Sequence, residues 1–227
     1  DPDVVIVVGD VNSTLACAIT AAKLWVPVAH VEAGLRSFDR RMPEEINRIV
    51  TDALSDFLFT TSRDANTNLQ REGVSSDRIF FVGNVMIDTL LKHRARARAL
   101  GTPQRFGLGP GDYALLTLHR PSNVDIRDAF FGILDALVKI QRDLPILFPA
   151  HPRTLNRIEE FGFRDRLRDA PDLHIVDPLG YLEFLDLMMH ARLVLTDSGG
   201  IQEETTILHV PCLTLRENTE RPITITE

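Results

Sequence analysis

The chain has 227 residues, of which 44% are hydrophobic and 25% charged, and its formal net charge is −7. This composition is ordinary for a globular protein with a sizeable core, and the acidic balance argues against nucleic acid as a partner. Cys17 and Cys212 lie far apart without metal-ligand spacing, so they predict buried thiols in a reducing compartment and no disulfide framework. The sequence shows neither a signal peptide nor an apolar run long enough to cross a bilayer, which predicts a cytoplasmic protein that does not bind membranes.

Short β-branched runs alternate with longer amphipathic segments along the chain, a pattern typical of βαβ units around a parallel sheet. In chain order the predicted strands are Val4–Val8, Val28–Val31, Phe57–Thr60, Ile79–Val82, Ala114–Leu118, Ile146–Phe148, His174–Val176, Leu193–Thr196 and Cys212–Leu215. The predicted helices include Thr14–Leu24, Glu44–Leu54, Asp64–Glu72, Ile126–Gln141 and Leu182–Ala191. The basic run 92–98 is interpreted as the solvated face of a further helix.

A segment rich in glycine and proline, 101–111, separates two such series and is interpreted as an interdomain linker. The predicted fold class is therefore α/β, with two Rossmann-like doubly wound parallel-sheet domains over 1–100 and 112–227. A ligand is expected in the cleft between these domains, because open parallel sheets bind ligands beyond the carboxyl ends of their strands.

Reactive side chains follow the ends of five predicted strands. Asp10 alone fits a helix N-cap as well as a catalyst, but five such endings together indicate one ligand site. The residues at these ends are Asp10, then His30 and Glu32, then His119 and Arg120, then His151, and finally Asp197.

The segment that follows Asp197 is the most informative of these endings. Ser198, Gly199 and Gly200 form a strand-to-helix turn, where backbone N–H groups approach a ligand closely and the helix dipole favours an anion. Glu204 would lie about one turn into that helix, where a carboxylate accepts hydrogen bonds from sugar hydroxyls. The same residues also fit a tight turn with an ordinary N-cap.

Two further charged segments each admit a structural and a functional interpretation. The segment Pro43–Arg48 makes a good helix start by capping and dipole alone, with room for an ion pair between Glu45 and Arg48. Arg221 follows the last predicted strand and suits either phosphate binding or an ion pair with a neighbouring glutamate.

Six motifs in this order resemble the non-hydrolysing UDP-N-acetylglucosamine 2-epimerases over essentially the whole chain. They are Gly9-Asp10, His30–Arg36, Pro43–Arg48, Leu118–Arg120, Asp197–Glu204 and Thr219–Pro222. The related hydrolysing epimerases carry an arginine after the Gly-Asp pair, and a second glycine and a glutamate after the His-x-Glu-Gly segment. Val11 and the run 33–36 favour the non-hydrolysing branch.

The resemblance implies the two-domain fold of the GT-B glycosyltransferases and the interconversion of UDP-GlcNAc and UDP-ManNAc. It also implies a fragment with both domains truncated, lacking an amino-terminal βαβ portion and the helices that close the carboxyl-terminal domain. Loss of its neighbours would leave the strand Val4–Val8 with an exposed hydrophobic edge. The implied mechanism eliminates UDP to leave 2-acetamidoglucal and adds UDP back with protonation from the opposite face. It requires two separate carboxyl groups and neither a metal nor a nicotinamide cofactor.

The resemblance assigns roles to individual positions. Asp10 and Glu44 would be the proton-transfer pair, Glu32 would support them, and His119 would stabilise charge on the leaving diphosphate. The implied substrate-binding positions are Ser198, Gly199 and Gly200 for the diphosphate, Glu204 for the ribose, Arg221 for phosphate and Phe184 near the uracil. Phe184 also fits the apolar face of its helix, and Leu179 stands where some relatives carry glutamine. Arg120 and His151 resemble part of a second, allosteric UDP-GlcNAc site, and relatives are commonly homodimers.

Three alternatives stay open at this stage. One is a 2-epimerase of a related nucleotide sugar, such as a UDP-linked 2,3-diacetamido uronic acid. Another is a glycosyltransferase on the same fold, since fold does not determine chemistry. The third is a nucleotide-binding fragment without catalysis. The carboxylates of the His30–Arg36 and Pro43–Arg48 motifs favour an epimerase, because a transferase does not need acids on both faces of C2.

Overall fold

A computed structural model describes residues 2–222 and 224. Its described residues divide into two compact units, one formed by 2–85 with 218–222 and 224, the other by Met86–Glu217. Each unit is built on its own parallel sheet flanked by helices. The predicted α/β class and the pair of Rossmann-like domains are therefore confirmed.

The division between the units differs from the boundary expected at the Gly- and Pro-rich segment. The chain passes from the first unit to the second at Val85, and residues 218–222 and 224 belong with the first unit. The segment 101–111 is packed on the second unit, where the Thr102 N–H donates to the buried Asp186 carboxylate at 2.6 Å. Phe106 and Leu108 add apolar contacts there. Glycine and proline in this segment thus mark tight turns and not a free connection.

The first unit contains, within the described residues, a four-stranded sheet in the order β1-β2-β3-β4, with every neighbouring pair parallel. The strands are β1 (Val5–Val8), β2 (Val28–Ala33), β3 (Phe57–Thr60) and β4 (Ile79–Phe81). The helices are α1 (Asn12–Lys23), α2 (Pro43–Leu54) and α3 (Arg63–Arg71), and a 3₁₀ turn (Ser76–Arg78) precedes β4. The inner strand β2 is buried along most of its length, so the polar residues it carries need internal partners.

Within the described residues, β1 pairs with β2 alone and forms an edge of its sheet. Its side chains alternate in burial, and Ile6 and Val8 are 64% and 54% exposed. The exposed hydrophobic edge expected for Val4–Val8 is therefore present. The prediction of two buried thiols was wrong for Cys17, which is exposed, because α1 buries the face that carries Thr14, Ala18 and Ala21. Cys212 is half-buried.

The second unit contains a described five-stranded sheet in the order β7-β6-β5-β8-β9, again parallel throughout. The strands are β5 (Ala114–Thr117), β6 (Ile146–Pro149), β7 (Leu173–Val176), β8 (Leu193–Thr196) and β9 (Cys212–Thr214). The helices are α4 (Val85–Arg98), α5 (Thr102–Arg105), α6 (Pro121–Val124), α7 (Arg127–Ile140), α8 (Pro152–Glu160), α9 (Arg164–Arg168), α10 (Tyr181–His190) and α11 (Gly199–Leu208). From β5 the chain adds β6 and β7 on one side of the sheet, and then adds β8 and β9 on the other side. Doubly wound sheets bind ligands at such a winding reversal, which here lies between β5 and β8.

Apolar side chains from both faces of the second sheet form two buried clusters. Phe130, Phe148 and Leu134 lie in the cluster on one face, and Leu115, Leu147 and Leu185 lie in the other. The basic run 92–98 lies on α4, with its Lys and Arg side chains exposed and Ala97 buried, as predicted. In the part of the chain that the structure describes, no helix is both long and apolar enough to cross a membrane.

Candidate active site

Asp10 lies just after β1 and is held by an arginine from α2. The Arg48 Nη1 donates to Asp10 Oδ2 at 2.5 Å, and Arg48 Nη2 donates to Glu45 Oε2 at 2.8 Å. The predicted pairing of Glu45 with Arg48 is therefore present. The Asp10 side chain remains 31% exposed although the arginine is buried. The buried Arg48 thus orients the Asp10 carboxylate, while part of that carboxylate faces solvent.

Glu45 explains how α2 fixes the loop that follows β2. Its carboxylate accepts hydrogen bonds from the N–H groups of Ser37 and Phe38 and from the Ser37 hydroxyl, at 2.9 to 3.0 Å. Burial alone would raise the pKa of Glu45, but the hydrogen bonds from Ser37 and Arg48 lower it below its usual value. Glu45 therefore has a structural role, because it holds the loop that follows β2.

Glu32 occupies an unusual backbone position inside β2. Its φ is +74°, and the register of β2 against β3 shifts between Val31 and Ala33. A bulge of this kind re-aims one side chain, and the left-handed conformation costs a residue with a side chain about 1–3 kcal/mol. The strain is consistent with a carboxylate placed for function.

Arg221 is the ion-pair partner of Glu32. Its Nη2 contacts Glu32 Oε1, and its Nη1 donates to Glu220 Oε1 at 2.7 Å. Arg221 is only 7% exposed, and the Glu32 side chain is 19% exposed. The structure thus supports the ion-pair interpretation of Arg221, with Glu220 and, unexpectedly, Glu32 as partners.

Glu44 differs from the other two carboxylates. It lies in the first turn of α2, is half-buried, and forms no hydrogen bond or ion pair with any residue in 2–222 or 224. Its place in the first turn of α2 is the one expected for an acid at a helix start. The first unit therefore holds Asp10 and Glu32 against arginines and leaves Glu44 unengaged by the described residues.

A buried polar cluster lies beneath these carboxylates. His30 Nδ1 is 2.6 Å from Asp52 Oδ1, and Asp52 Oδ2 accepts the Gly34 N–H at 3.1 Å and lies 2.7 Å from Arg36 Nη1. Arg36 also donates two hydrogen bonds to Glu72. Burial would lower the pKa of Arg36, but Glu72 and Asp52 raise it well above its ordinary value.

His119 follows β5 in the second unit and is anchored by Asp197, which follows β8. The His119 Nδ1 lies 3.0 Å from Asp197 Oδ1, and the N–H groups of His119 and Arg120 donate to the same carboxylate at 3.0 and 2.8 Å. Asn123 adds a further donor at 3.0 Å. The strand ends β5 and β8 therefore meet at the winding reversal, as the sequence predicted for this half.

The environment of Asp197 is opposite to that of His119. Asp197 is fully buried, while the His119 side chain is 51% exposed. Burial would raise the pKa of Asp197, but the hydrogen bonds from His119, Arg120 and Asn123 lower it below its usual value. An ionised Asp197 fixes Nδ1 of His119 and leaves Nε2 directed away from this anchor.

The Ser-Gly-Gly turn begins α11. Ser198 is the N-cap residue, but its side chain makes no capping hydrogen bond, while its N–H donates to the Thr196 hydroxyl at 3.0 Å. An added Cβ at Gly200 would lie 2.8 Å from Cε of Met86, the far end of a flexible side chain that can shift, so packing alone does not require glycine there. The N-terminal N–H groups of α11 are suited to an anion, as at other helix starts.

A cavity of about 330 Å³ lies at these strand ends within the second unit. It is lined by Thr117, Leu118, His119, Pro149, His151, Pro178, Leu179, Phe184, Ser198 and Ile201. Phe184 is half-buried and also packs against the apolar cluster of this unit, while its place near the uracil stays a prediction. The exposed His151 is the N-cap of α8, and its Nδ1 accepts the Arg153 N–H at 3.2 Å.

Glu204 lies in α11, is 7% exposed, and accepts a hydrogen bond from the Tyr181 hydroxyl at 3.3 Å. Burial raises the pKa of Glu204, and this hydrogen bond opposes the rise. Burial and the nearby Glu204 raise the pKa of Tyr181 to about 12. The tyrosine hydroxyl therefore remains a donor that orients the carboxylate.

Sequence reasoning missed several of the groups that orient this site. Tyr181 stood in no motif, and Asp52 was assigned no role. For Asp52 a signal exists, since positions 45, 48 and 52 share one face of α2 at helical spacing. For Tyr181 the partner is 23 positions away and is brought near by the sheet topology, so no local pattern indicates it.

The fold and the site together define a protein of two Rossmann-like domains, one with a Ser-Gly-Gly turn at its winding reversal and one that carries Asp10, Glu32 and Glu44. The family model for UDP-N-acetylglucosamine 2-epimerase matches residues 1–227, and the chain belongs to this family.

Known relatives agree with this assignment. The chain is 49% identical over 229 residues to the UDP-N-acetylglucosamine 2-epimerase of Methanocaldococcus jannaschii, with 99% of this chain and 63% of that protein covered. It is 46% identical over 223 residues to the UDP-2,3-diacetamido-2,3-dideoxy-D-glucuronate 2-epimerase of Pseudomonas aeruginosa, with 96% and 60% covered.

A solved structure shows the same fold. The crystal structure of the M. jannaschii UDP-GlcNAc 2-epimerase in complex with UDP-GlcNAc and UDP has a TM-score of 0.92, and 99% of this chain and 63% of that chain are covered. The chain thus spans less than two thirds of the length of these relatives.

Proposed function

We propose that the protein acts as a non-hydrolysing UDP-GlcNAc 2-epimerase, interconverting UDP-GlcNAc and UDP-ManNAc. The observation that carries the proposal is the set of carboxylates in the first unit, where Asp10 and Glu32 are paired with arginines and Glu44 has no described partner. Inversion at C2 needs a base on one face of the sugar and an acid on the other. Carboxylates in different electrostatic settings are suited to opposite proton-transfer roles.

The chemistry follows from the position of the C2 hydrogen, which is not adjacent to a carbonyl. In the proposed elimination a carboxylate takes the C2 proton, the C1–O bond to the diphosphate breaks, and UDP leaves with the bonding electron pair. The remaining sugar is 2-acetamidoglucal, with a C1–C2 double bond. In the return step a diphosphate oxygen of UDP adds to C1, and the second carboxyl group protonates C2 from the opposite face.

The side-chain chemistry and the contacts of each residue indicate which of these tasks it performs. We assign proton transfer to Asp10 and Glu44, and a supporting role to the strained, ion-paired Glu32. His119 would stabilise charge on the departing diphosphate through Nε2, because Asp197 holds its Nδ1. Both steps proceed without a redox change, so the proposal requires no nicotinamide.

The nucleotide-binding assignments rest on the second unit and on Arg221 of the first, which would bind phosphate. The Ser198, Gly199 and Gly200 turn would bind the diphosphate at the start of α11. Glu204 would accept hydrogen bonds from the ribose, and Phe184 would lie against the uracil. The allosteric role of Arg120 and His151, and the homodimer, stay predictions.

Proton NMR in heavy water tests the proposed function. Incubation with UDP-GlcNAc is expected to produce UDP-ManNAc with deuterium at C2, because the second carboxyl group, which protonates C2, exchanges its own proton with the solvent. Release of UDP with free ManNAc would instead indicate hydrolysing chemistry. No change in UDP-GlcNAc would exclude this substrate.

The P. aeruginosa relative supports one second candidate, a UDP-linked 2,3-diacetamido uronic acid, since its identity to this chain is nearly that of the M. jannaschii enzyme. The same heavy-water experiment with that sugar separates the two. Exchange at C2 in the uronic acid and none in UDP-GlcNAc would transfer the assignment to it.

Replacing Arg221 by Ala is expected to weaken UDP binding about 10- to 150-fold, because one charge-assisted hydrogen bond contributes about 1.5–3 kcal/mol. Isothermal titration with UDP measures the effect. Glu220→Gln is the matched control, since it removes the second carboxylate partner and keeps the guanidinium. An unchanged Kd for Arg221→Ala would leave Arg221 as a purely structural partner of Glu32.

Replacing Tyr181 by Phe is expected to raise the Kd for UDP a few-fold, because loss of a neutral hydrogen bond costs about 0.5–1.5 kcal/mol and frees the Glu204 carboxylate. Tyr113→Phe is the control, since its hydroxyl donates to the Leu187 carbonyl, another buried contact of the same unit. Equal Kd values for Tyr181→Phe and the unsubstituted protein would contradict the role of Tyr181 in orienting Glu204.

A further inference from the structure

His30 connects the buried cluster to the turn that carries Asp10. It lies in β2 and is fully buried. Its Nδ1 is 2.6 Å from the Asp52 carboxylate, and its Nε2 is 3.0 Å from the Gly9 carbonyl oxygen. The Gly9 carbonyl belongs to the peptide group that links Gly9 to Asp10, so the ring contacts the same peptide group that contains the Asp10 N–H.

Both partners of the ring are hydrogen-bond acceptors. A neutral imidazole has one N–H and can donate to only one of them, whereas an imidazolium donates to both. Asp52 accepts the Gly34 N–H and faces the Arg36 guanidinium through its other oxygen, a setting that suits a carboxylate.

Other titratable groups are linked to the ring through these contacts. They are Asp52 on α2, Arg36 after β2 and Glu72 after α3. Arg36 and Asp52 are buried, whereas the Glu72 side chain is 39% exposed and its charge is solvated. Asp10, Glu32, Glu45 and Arg48 are the other charged groups on the adjoining segments.

The turn that receives this contact depends on it. Gly9 has φ +69°, a left-handed conformation that few other residues adopt, and its N–H donates to the Val31 carbonyl at 3.0 Å. Thr14 and Asn47 hold the flanking carbonyls of Val8 and Asp10. Among the described contacts, His30 supplies the one that fixes the peptide joining Gly9 to Asp10.

We infer that His30 is held as an imidazolium between Asp52 and the Gly9 carbonyl, and that it is a positioning residue for Asp10. It fixes the Gly9–Asp10 peptide, and the peptide sets the direction in which the Asp10 carboxylate leaves the backbone. The consequence for turnover rests on the proposed function, whereas the ring state and the backbone contact do not.

Nuclear magnetic resonance of the ¹⁵N-labelled protein tests the ring state directly. Long-range ¹H–¹⁵N correlations at about pH 8, where a solvated histidine is neutral, are expected to show both His30 ring nitrogens protonated. The signals are assigned by their loss in His30→Gln. An unprotonated Nδ1 or Nε2 would overturn the inference regardless of any activity.

Two matched variants test the positioning role. The amide of Gln lies near the place of Nε2 and can still donate to Gly9, while the shorter amide of Asn lies near Nδ1 and can donate only to Asp52. Both remove the positive charge. The Asp10 amide cross-peak is therefore expected to shift strongly in His30→Asn and little in His30→Gln, with folding of each checked by thermal melting.

Turnover of UDP-GlcNAc provides the last readout. His30→Asn is expected to have a kcat about tenfold or more below that of His30→Gln, with similar KM, because misplacement of a reacting group lowers the rate of the chemical step. Equal Asp10 amide shifts, or equal kcat values in active variants, would overturn the positioning role. An inactive unsubstituted protein would refute the proposed function alone, because the ring signals and the Asp10 amide would still decide this inference.

Discussion

Replacing Asp10 by Asn is expected to lower kcat by about 10²–10⁴-fold, the contribution typical of a group that transfers a proton in the transition state. The amide keeps the size of the side chain and an oxygen that can accept from Arg48, so the fold is expected to persist. The Kd for UDP is expected to stay unchanged, because Asp10 pairs with Arg48 and not with Arg221, the proposed phosphate contact of the first unit. Turnover of UDP-GlcNAc and titration with UDP measure the two quantities.

Glu44→Gln is the companion variant, and it is expected to lose turnover to a similar extent. Heavy-water exchange refines the comparison, since loss of the residue that removes the C2 proton abolishes both exchange and product. Asp3→Asn is the control, because Asp3 is an exposed carboxylate that precedes β1, the strand that Asp10 follows. Unchanged kcat in either the Asp10 or the Glu44 variant would remove that residue from the proton-transfer pair.

The strands of both sheets were predictable because most of them are short apolar runs. Phe57–Thr60 and Leu193–Thr196 have the predicted bounds, and the other strands differ by one or two residues at an end. The winding reversal brings together His119 and Asp197, two of the five strand endings expected at one ligand site. Periodicity identifies the strands, and the parallel topology then brings their ends to a common edge.

The backbone of Glu32 could not be predicted in the same way. Its motif predicted an acid near a strand end, yet the residue lies inside β2 in a left-handed conformation. Bulges in parallel sheets depend on the partner strand, and here the register shift is against β3, whose residues are more than 20 positions away. The pattern of side chains within β2 does not reveal this register shift.

The polar cluster beneath the site shows the same limit. His30 was noted only as a residue flanking a strand, and Asp52 had no assigned role. Their contact joins β2 to α2, and Arg36 extends it to Glu72. A buried charged group needs partners from distant segments, and the sequence reveals the need for them without identifying them.

The replacement of Asp197 by Asn is expected to lower kcat by about 10²-fold or more, since His119 would lose the carboxylate that holds its Nδ1. The amide cannot accept all the hydrogen bonds that Asp197 receives, and its NH₂ group would face the N–H donors of His119 and Arg120. Such a buried mismatch is expected to lower the free energy of unfolding by about 1–3 kcal/mol. Steady-state kinetics and denaturant unfolding measure the two effects.

Asp186→Asn is the matched control for this variant. Asp186 is also fully buried in the second unit, lies 3.1 Å from a histidine, His190, and accepts a backbone N–H, that of Thr102. Its replacement is expected to cause a comparable loss of stability with little loss of kcat. A similar fall in kcat for both variants would show that stability, and not the orientation of His119, limits the activity.

The pH dependence of stability gives an independent check on Asp197. Its pKa in the folded protein is lowered, so its contribution to stability is present above the unfolded value of about 3.9 and is lost as pH falls through the lower folded value. The unsubstituted protein is therefore expected to lose stability below about pH 4 more steeply than Asp197→Asn, which has no carboxyl group to protonate at this position. Parallel acid dependence of the two free energies of unfolding would mean that Asp197 is not held as an ionised anchor, and the orientation of His119 would then need another cause.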